Sequence, residues 1–309
     1  MDGVVLKSTG SWYTVLDASG KTVECRIKGL FRTKDIKSTN PIAVGDRVSF
    51  DMEEDGKGVI HTIAERKNYI IRKSINLSKQ SHILAANIDQ AFLIATLALP
   101  RTSAGFIDRF LLTAEAYHIP TILFFNKTDL FAEDPALSKE LDDFMEVYTN
   151  IGYSCYKISA EWEKDIALLR NVSKDKITLI AGHSGVGKST LVNAMDPELQ
   201  LKVGEISEAH FKGKHTTTFA EMHVLKYGGF IIDTPGIKEL GLVDMEKEEI
   251  SDYFPEMRAL KSECKFNNCL HINEPKCAII KAVEEGHIAV SRYNTYLGIM
   301  NGEELEVEY

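Results

Sequence analysis

The stretch from Gly182 to Ser189 reads Gly-His-Ser-Gly-Val-Gly-Lys-Ser, which is the residue spacing of a phosphate-binding loop. Glycines let consecutive backbone N–H groups point inward around phosphate oxygens, and a helix that follows adds a positive field at its N-terminus. At this spacing the Lys188 ammonium would reach the β- and γ-phosphates of a nucleotide, and the Ser189 hydroxyl would bind Mg²⁺. A chance glycine-rich turn is the alternative, and the full set of fixed positions argues against it. The residues predicted to contact phosphates and the ion are Gly182, Ser184, Gly185, Val186, Gly187, Lys188, Ser189 and Thr190.

A second motif, Asn126-Lys127-Thr128-Asp129, indicates which base is bound. The Asp129 carboxylate could accept hydrogen bonds from the ring N–H and the exocyclic amine of guanine, a donor pair that adenine lacks. Asn126 would hold the loop, and the stem of Lys127 would cover the base. Alone, these residues could form an ordinary polar turn. Beside a phosphate-binding loop in the same chain they predict GTP.

Three further segments complete the predicted nucleotide site. In Asp233-Thr234-Pro235-Gly236, Asp233 would hold Mg²⁺ through a water molecule, and the Gly236 N–H would contact the γ-phosphate. One residue of the triplet 216–218, which we take as Thr217, would complete the magnesium shell when a γ-phosphate is present. The alternative for the triplet is a β-prone surface run. Ser159-Ala160 fits the remaining guanine-contacting loop, although two residues are a weak signal.

The order of these motifs is unusual, because the base-reading residues come before the phosphate-binding loop. In ordinary GTPases the phosphate-binding loop comes first. The nucleotide domain is therefore expected to be circularly permuted. In that order the segment that begins at Asp233 leads directly into the C-terminal part of the chain.

Three cysteines and one histidine lie close together near the C-terminus, namely Cys264, Cys269, His271 and Cys277. This is the ligand set of a closed structural Zn²⁺ site, and four protein ligands leave no open position for catalysis. The spacing is not one of the common zinc-finger spacings. A segment this small often needs its metal in order to fold.

Each nucleotide-binding motif follows a short apolar run that is typical of a buried strand. The runs are 121–125, 155–158, 176–181 and 229–232, with a further one at 88–97. Helical patterns lie at 106–117, 138–149, 161–170 and 190–195. Strands that alternate with helices predict a parallel sheet with ligand loops at the strand carboxyl ends. In the first helix we expect Asp108 and Arg109 to form a surface ion pair.

The N-terminal part of the chain has five short strand patterns separated by turns, which predicts a small β-barrel of the oligonucleotide-binding (OB) type. Five basic residues and one aromatic residue lie between these strands. They are Arg26, Lys28, Phe31, Arg32, Lys34 and Lys37. They could form an RNA-contacting loop or a solvated loop, and the sequence favours neither. The polar residues 66–80 are predicted to be a linker.

The fold class is therefore multidomain, with three predicted units. These are an OB-type RNA-binding barrel over 1–68, a circularly permuted P-loop GTPase α/β domain over 69–240, and a mostly helical zinc-binding domain over 241–309. In the last unit we expect a helix near 278–284, a tail at 292–296 and frayed acidic residues at 303–308.

Composition narrows the class of protein further. The 309 residues are 44% hydrophobic and 26% charged, which is enough to build a core, and no apolar run reaches the length of a membrane span. Five cysteines, three of them clustered, favour a reducing cytoplasm and a metal over disulfides. A net charge of −9 argues against a generally basic nucleic-acid-binding surface. We expect a cytoplasmic monomer that does not bind membranes.

Taken together, the motifs, their order and the metal spacing resemble the RsgA (YjeQ) family, the circularly permuted GTPases of bacteria that depend on the small ribosomal subunit. Weaker similarities occur at 86–89, 107–109 and Arg292-Tyr293. The resemblance covers nearly the whole chain and is least specific in the barrel. It implies GTP hydrolysis stimulated by the small subunit during late 30S maturation, with GTP/GDP, the small subunit and its rRNA as partners, and with Mg²⁺ and one structural Zn²⁺ bound.

The predicted reaction is attack of water on the γ-phosphate, with the developing charge stabilised by Lys188, Mg²⁺ and backbone N–H groups. Many GTPases orient this water with a Gln just after the Asp-x-x-Gly segment. Here Ile237 and Lys238 follow Gly236. Slow intrinsic turnover is therefore expected, with activation by a partner. His215 is the candidate for positioning water, and a structural or RNA-facing histidine is its alternative.

Two other functions remain open from the sequence. The chain could be an RNA-binding assembly factor whose GTP site is mainly a binding switch, with hydrolysis only resetting it. It could also be an ATP-dependent kinase or ATPase, which Asp129 disfavours.

Overall fold

A computed structural model of the chain describes residues 1–27, 41–73, 81–201, 220–233 and 245–302. Several predicted features lie outside these residues. They are most of the basic cluster (Lys28, Phe31, Arg32, Lys34 and Lys37), His215, the threonine triplet with Thr217, the segment 234–238 with Gly236, and the acidic residues 303–308.

The N-terminal strands form a closed five-stranded barrel, as predicted. The strands are β1 (Asp2–Ser8), β2 (Tyr13–Asp17), β3 (Thr22–Ile27), β4 (Arg47–Met52) and β5 (Gly58–Ile63). Their order is β1-β2-β3-β5-β4, and pairing of β4 with β1 closes the barrel. Alternate residues point inward, so that Val5, Tyr13, Val15, Phe50 and Ile60 form an apolar core.

The prediction of a linker over 66–80 is wrong for part of that stretch. Strand β6 (Tyr69–Lys73) pairs with β7 (Ser81–Ala86) as a separate two-stranded antiparallel sheet. The basic residues on either side made the stretch look polar, although it contains a β-prone run. Ile70 in this run is buried in the core of the nucleotide domain. The stretch also anchors the barrel, because the Arg66 guanidinium donates to both oxygens of the fully buried Asp46 carboxylate at 2.7 Å.

The central sheet contains the predicted parallel strands. They are β8 (Gln90–Ala95), β9 (Thr121–Phe125), β10 (Ser154–Lys157), β11 (Ile177–Ala181) and β13 (Phe230–Asp233), and the antiparallel β12 (Glu221–Val224) was not predicted. The order is β10-β9-β8-β11-β13-β12. Strand β12 also pairs with barrel strand β1 at Glu221 and Lys7, so that one continuous sheet links both domains.

Helices cover both faces of this sheet. They are α1 (Ala104–Ala116), α2 (Pro135–Ile151), α3 (Glu163–Ser173) and α4 (Lys188–Met195), and a 3₁₀ helix spans Thr128–Phe131. Ala91, Leu93 and Ala95 pack with α1 and α2, whereas Phe92 and Ile94 pack with α3 and α4. From β8 the chain winds toward β10 and then returns to β11 on the other side of β8. Such a reversal creates a crevice at the strand carboxyl ends, where nucleotides bind in folds of this class.

The C-terminal segment is mostly helical. Its elements are a 3₁₀ helix (Lys247–Tyr253), α5 (Pro255–Leu260), a second 3₁₀ helix (Lys261–Glu263), α6 (Ala278–Glu284) and α7 (Val290–Met300). The prediction of a tail at 292–296 is therefore wrong, because these residues lie inside α7. Across the described ranges, no helix is both long and apolar enough to span a membrane.

The predicted surface ion pair between Asp108 and Arg109 is also wrong. Asp108 is fully buried, and its carboxylate accepts from Arg292 at 2.9 Å and from the Tyr148 hydroxyl at 3.0 Å. Burial raises the pKa of Asp108, and the Arg292 charge acts in the opposite direction. The sequence could not reveal this pairing because Asp108 and Arg292 are 184 positions apart.

Candidate nucleotide site and metal centre

The predicted phosphate-binding loop connects the carboxyl end of β11 to the start of α4. Gly185 and Gly187 adopt φ values of +80° and +96°, a left-handed region that residues with a Cβ rarely occupy. A Cβ on Gly187 would also lie 2.5 Å from the Asn126 side-chain nitrogen. Ser184, Gly185 and Thr190 are exposed, whereas Val186 is buried.

Lys188 is buried at the base of this loop. Its ammonium donates to the backbone carbonyls of Gly182 at 2.8 Å and His183 at 2.6 Å. A cation is thus held beside backbone that leads into a helix N-terminus, which is an arrangement suited to anionic phosphate.

Two oxygen-bearing side chains lie close to Lys188. Ser189 is buried in the first turn of α4, and Asp233 ends β13, next to Ile180 of β11 in the sheet register. Burial raises the pKa of Asp233, and the charge of Lys188 lowers it. Carboxylate and hydroxyl oxygens such as those of Asp233 and Ser189 are the kind of ligand that Mg²⁺ takes.

The predicted base-reading loop follows β9 and contacts the phosphate-binding loop directly. The Asn126 amide nitrogen donates to the Val186 carbonyl at 2.8 Å, and its buried Oδ1 has no hydrogen-bond partner among the described residues. Lys127 adopts a left-handed φ of +65°, and its ammonium donates to the Leu99 carbonyl at 2.6 Å. Two motifs that are about 60 positions apart in the chain are therefore joined by one hydrogen bond.

The predicted Ser159-Ala160 loop also lies against the base-reading loop. The Ser159 hydroxyl donates to Asp129 Oδ1 at 2.6 Å, and its backbone N–H donates to the Asp165 carboxylate at 2.9 Å. Ala160 packs at the edge of the core beneath α3. Asp165 was not predicted, although an acidic residue in the first turn of a helix is a common signal for such a bond.

Phe106 is a second contact that sequence reasoning missed. It lies in the first turn of α1, and the centroid of its ring is 3.6 Å from that of the His183 imidazole, with 33° between the ring planes. The sequence signals only that Phe106 belongs to an amphipathic helix. It does not signal that the helix begins beside the phosphate-binding loop.

The four predicted metal ligands come together in the C-terminal segment. All four ligand atoms lie within 4.8 Å of one another, and Cys269, His271 and Cys277 are buried. Cys264 Sγ is 3.8 Å from Cys277 Sγ and 3.6 Å from His271 Nδ1, and His271 Nδ1 is 3.4 Å from Cys277 Sγ. Bonds of about 2.3 Å to sulfur and 2.0 Å to nitrogen set tetrahedral edges of about 3.8 Å and 3.5 Å. The ligand set therefore fits Zn²⁺.

Three side chains that were not predicted as functional hold the loop that carries these ligands. The Glu274 carboxylate accepts from the backbone N–H groups of Leu270 at 2.7 Å and Ile272 at 2.8 Å. From α7, Tyr293 donates to the His271 carbonyl at 2.7 Å and Tyr296 to the Leu270 carbonyl at 2.6 Å. Burial raises the pKa of the Cys269 thiol to about 12, so that a thiolate at this position calls for a cation.

Two protein-family models match the chain. The family model described as the RsgA GTPase matches residues 63–243, and the model described as the RsgA N-terminal domain matches residues 2–60.

Curated relatives are similar over nearly the full chain. One from Flavobacterium psychrophilum, named small ribosomal subunit biogenesis GTPase RsgA, is 58% identical over 98% of this chain and 94% of its own length. One of the same name from Bacteroides fragilis is 54% identical over 98% of this chain and 97% of its own.

Two solved structures are similar in sequence and fold. YjeQ from Thermotoga maritima is 34% identical with a TM-score of 0.81, and the likeness covers 99% of each chain. YloQ, described as a circularly permuted GTPase, is 35% identical with a TM-score of 0.77, covering 97% of this chain and 94% of its own.

Proposed function

Because the chain belongs to the RsgA GTPase family, we propose that it hydrolyses GTP under stimulation by the small ribosomal subunit and acts in late maturation of that subunit. The observation that carries this proposal is the hydrogen bond from Asn126 to Val186, which unites a base-reading loop and a phosphate-binding loop in one crevice. The names of the relatives support the choice of the small subunit as partner.

Guanine is selected by hydrogen bonds to a carboxylate. Asp129 accepts from the ring N–H and the exocyclic amine, while Ser159 holds its other side, as the 2.6 Å contact between them supports. Asn126 and the stem of Lys127 position the base, and Ala160 borders it. ATP presents no such pair of donors, so an ATP-dependent activity is disfavoured.

The phosphates lie over the glycine-rich loop. Their ligands in this proposal are Lys188 and the residues Gly182, Ser184, Gly185, Val186, Gly187 and Thr190. Ser189, Thr217 and Asp233 would hold Mg²⁺, and the Gly236 N–H would contact the γ-phosphate. The ion supplies positive charge that stabilises the transferring phosphoryl group.

Hydrolysis proceeds by attack of water on the γ-phosphate, with Lys188 neutralising the charge that develops. His215 positions this water once the subunit is bound. We predict that His215→Ala keeps its affinity for GTP but loses subunit-stimulated turnover by about 10²-fold or more, the size of a lost positioning group. Single-turnover hydrolysis with and without subunits measures this, and unchanged stimulated turnover would exclude the role.

The C-terminal ligands Cys264, Cys269, His271 and Cys277 hold one structural Zn²⁺, as their mutual distances support. We assign the barrel over 1–68 to rRNA contact, 69–240 to GTP hydrolysis and 241–309 to the zinc-binding unit. The protein acts in the cytoplasm as a monomer.

The central experiment measures GTP hydrolysis by the full chain alone, with purified small ribosomal subunits, and with large subunits. Lys188→Ala under the same conditions reports contaminating hydrolase activity. Strong stimulation by small subunits alone supports the proposal. If GTP binds without stimulation, the ribosomal partner is wrong while the nucleotide assignment stands.

The alternative, in which the GTP site is mainly a binding switch, is not favoured, because the relatives are named as GTPases. It makes a distinct prediction. If Lys188→Ala still bound small subunits and completed their maturation, hydrolysis would be dispensable.

A further inference from the structure

Helix α1 contacts three different parts of the molecule. Ile107, Phe110, Leu111 and Ala114 pack into the core of the sheet. Leu112 instead belongs to the apolar core of the C-terminal segment. The first turn of α1 reaches the phosphate-binding loop. Helix α1 therefore links the C-terminal segment to the phosphate-binding loop while it packs on the sheet.

At the phosphate-binding loop the contact is between rings. Phe106 lies against His183, the second residue of the loop, at a centroid distance of 3.6 Å. The His183 carbonyl accepts a hydrogen bond of 2.6 Å from the Lys188 ammonium. Phe106 therefore supports the part of the loop that orients this cation.

At the C-terminal segment the contact is a buried ion pair. Asp108 lies two residues after Phe106, and both its side chain and that of Arg292 are 1% exposed or less. Arg292 also donates to the Glu256 carboxylate at 2.7 Å. An arginine with two carboxylate partners in a dry environment holds a fixed geometry, because leaving any of these charges unpaired is costly.

Arg292 lies on α7, the helix that also secures the metal-binding loop. Its neighbour Tyr293 donates to the carbonyl of His271, one of the metal ligands. A continuous series of contacts therefore runs from the metal-binding loop through α7 and α1 to the phosphate-binding loop.

We propose that Phe106 is a positioning residue for the phosphate-binding loop, and that Arg292 sets its position from the C-terminal segment through Asp108. This inference rests on the proposed function, since it concerns the affinity of the same nucleotide site. A loop held in its binding conformation loses less freedom when phosphate binds, so loosening it weakens the affinity for any nucleotide that carries a β-phosphate.

The first test removes the ring. Phe106→Leu should weaken GDP binding about 2- to 12-fold, the range that corresponds to one aromatic contact. Phe106→Tyr retains the ring and should restore the affinity. Phe110→Leu is the matched control, because Phe110 lies on the same helix and packs into the sheet core. It should lower thermal stability at least as much as Phe106→Leu while GDP affinity stays within twofold of wild type.

The second test acts from the far end of the series of contacts. Arg292→Met should weaken GDP binding about 2- to 10-fold, and combined with Phe106→Leu the losses should not add, because both loosen the same contact. Arg292→Lys retains the charge but lacks the guanidinium fork that donates to both carboxylates, so it should also weaken GDP binding. This variant tests the inference if Arg292→Met does not fold. Arg258→Met is the control, since the pair of Arg258 with Glu115 joins α1 to the same segment but is partly open to solvent, with side chains 51% and 26% exposed.

Titration with a fluorescent GDP analogue, well below the unfolding temperature of each variant, gives all of these affinities. Wild-type affinity in both Phe106→Leu and Arg292→Lys would overturn the inference. Equal losses in Phe106→Leu and Phe110→Leu would also overturn it, because general loosening of α1 would then explain both. If the wild-type chain bound no GDP, the proposed function itself would fail.

Discussion

The nucleotide site and the metal centre are built in opposite ways. The residues of the nucleotide site are spread from Asn126 to Asp233, and they meet because neighbouring parallel strands end at one edge of the sheet. The four predicted metal ligands all lie within 264–277, in a loop without strands. One site is therefore a product of the whole domain, and the other depends on a short segment and its ion.

The two sites nevertheless use the same device to hold a loop. In the nucleotide site, the Asn126 amide donates to the phosphate-binding loop at Val186. In the metal centre, the Glu274 carboxylate accepts backbone N–H groups of the ligand loop. The difference lies beneath the loops. A hydrophobic sheet supports the first loop, whereas the second loop carries a cluster of three cysteines and a histidine that could bind a metal ion.

The largest expected effect is loss of the metal. Cys277→Ser removes a metal ligand but keeps an oxygen that can accept from the Ile280 N–H at the start of α6, as Cys277 Sγ does. Structural zinc contributes about 10–16 kcal/mol in small zinc-binding peptides, so we expect the variant to lose zinc and the segment 245–302 to lose its structure. Guanine nucleotide should still bind, but with an affinity several-fold lower, because α1 loses its contacts with the C-terminal segment.

Zinc content after gel filtration, together with hydrogen exchange of the peptides from 245–302, measures this effect. Cys155→Ser is the matched control, because Cys155 is a half-buried free thiol on β10. One zinc per chain and native exchange in Cys277→Ser would show that the segment folds without a complete ligand set.

The next effect concerns base selection. In Asp129→Asn the Asn oxygen can still accept from Ser159, so the loop should stay intact. The new amide would donate where a carboxylate had accepted, and each charged hydrogen bond contributes about 1.5–3 kcal/mol. We expect GTP affinity to fall about 10²-fold or more and affinity for xanthosine triphosphate, which carries a carbonyl in place of the amine, to rise.

Competition titrations with both nucleotides decide between these outcomes. Asp143→Asn is the control, since Asp143 lies in an exposed pair with Lys139 on α2. Equal loss of both nucleotides would mean that Asp129 supports the loop instead of reading the base.

The smallest of these effects concerns the loop of the metal centre. Burial acts to raise the pKa of Glu274, but the hydrogen bonds from backbone N–H groups outweigh it, and the pKa lies below its usual value. Glu274→Gln removes this charge, and one of the two side-chain oxygens that accept from backbone N–H groups becomes an amide nitrogen that cannot accept. We expect zinc affinity to fall about tenfold, at the lower end of the range for residues that orient metal ligands.

A competition assay with a chromophoric chelator measures this change. Glu284→Gln is the control, because Glu284 is exposed on α6, outside the ligand loop. A loop that depended on the metal alone would give the same zinc affinity in both variants, and the similarity between Glu274 and Asn126 would then be superficial.

Local patterns were enough to predict much of the fold. The five barrel strands, the parallel strands and helix 278–284 were all predicted from local patterns, and the structure places the parallel strands and this helix within a few residues of the predicted bounds. The linker and the C-terminal tail were wrong for one reason. Polar residues around Ile70 and beside Arg292 indicated an exposed chain, and periodicity cannot show that distant parts of the protein bury Ile70 and Arg292.

The sequence by itself determined which chemistry to expect, because each motif is complete within a short segment of the chain. These motifs are the glycine spacing, the Asn-Lys-x-Asp motif and the Cys/His cluster. Only the tertiary structure decided how these sites are connected. Arg292 meets Asp108, Phe106 meets His183, and β12 joins the barrel, because hydrophobic faces that are far apart in the chain must be buried together. Such contacts depend on which faces meet, and that information lies in no single segment.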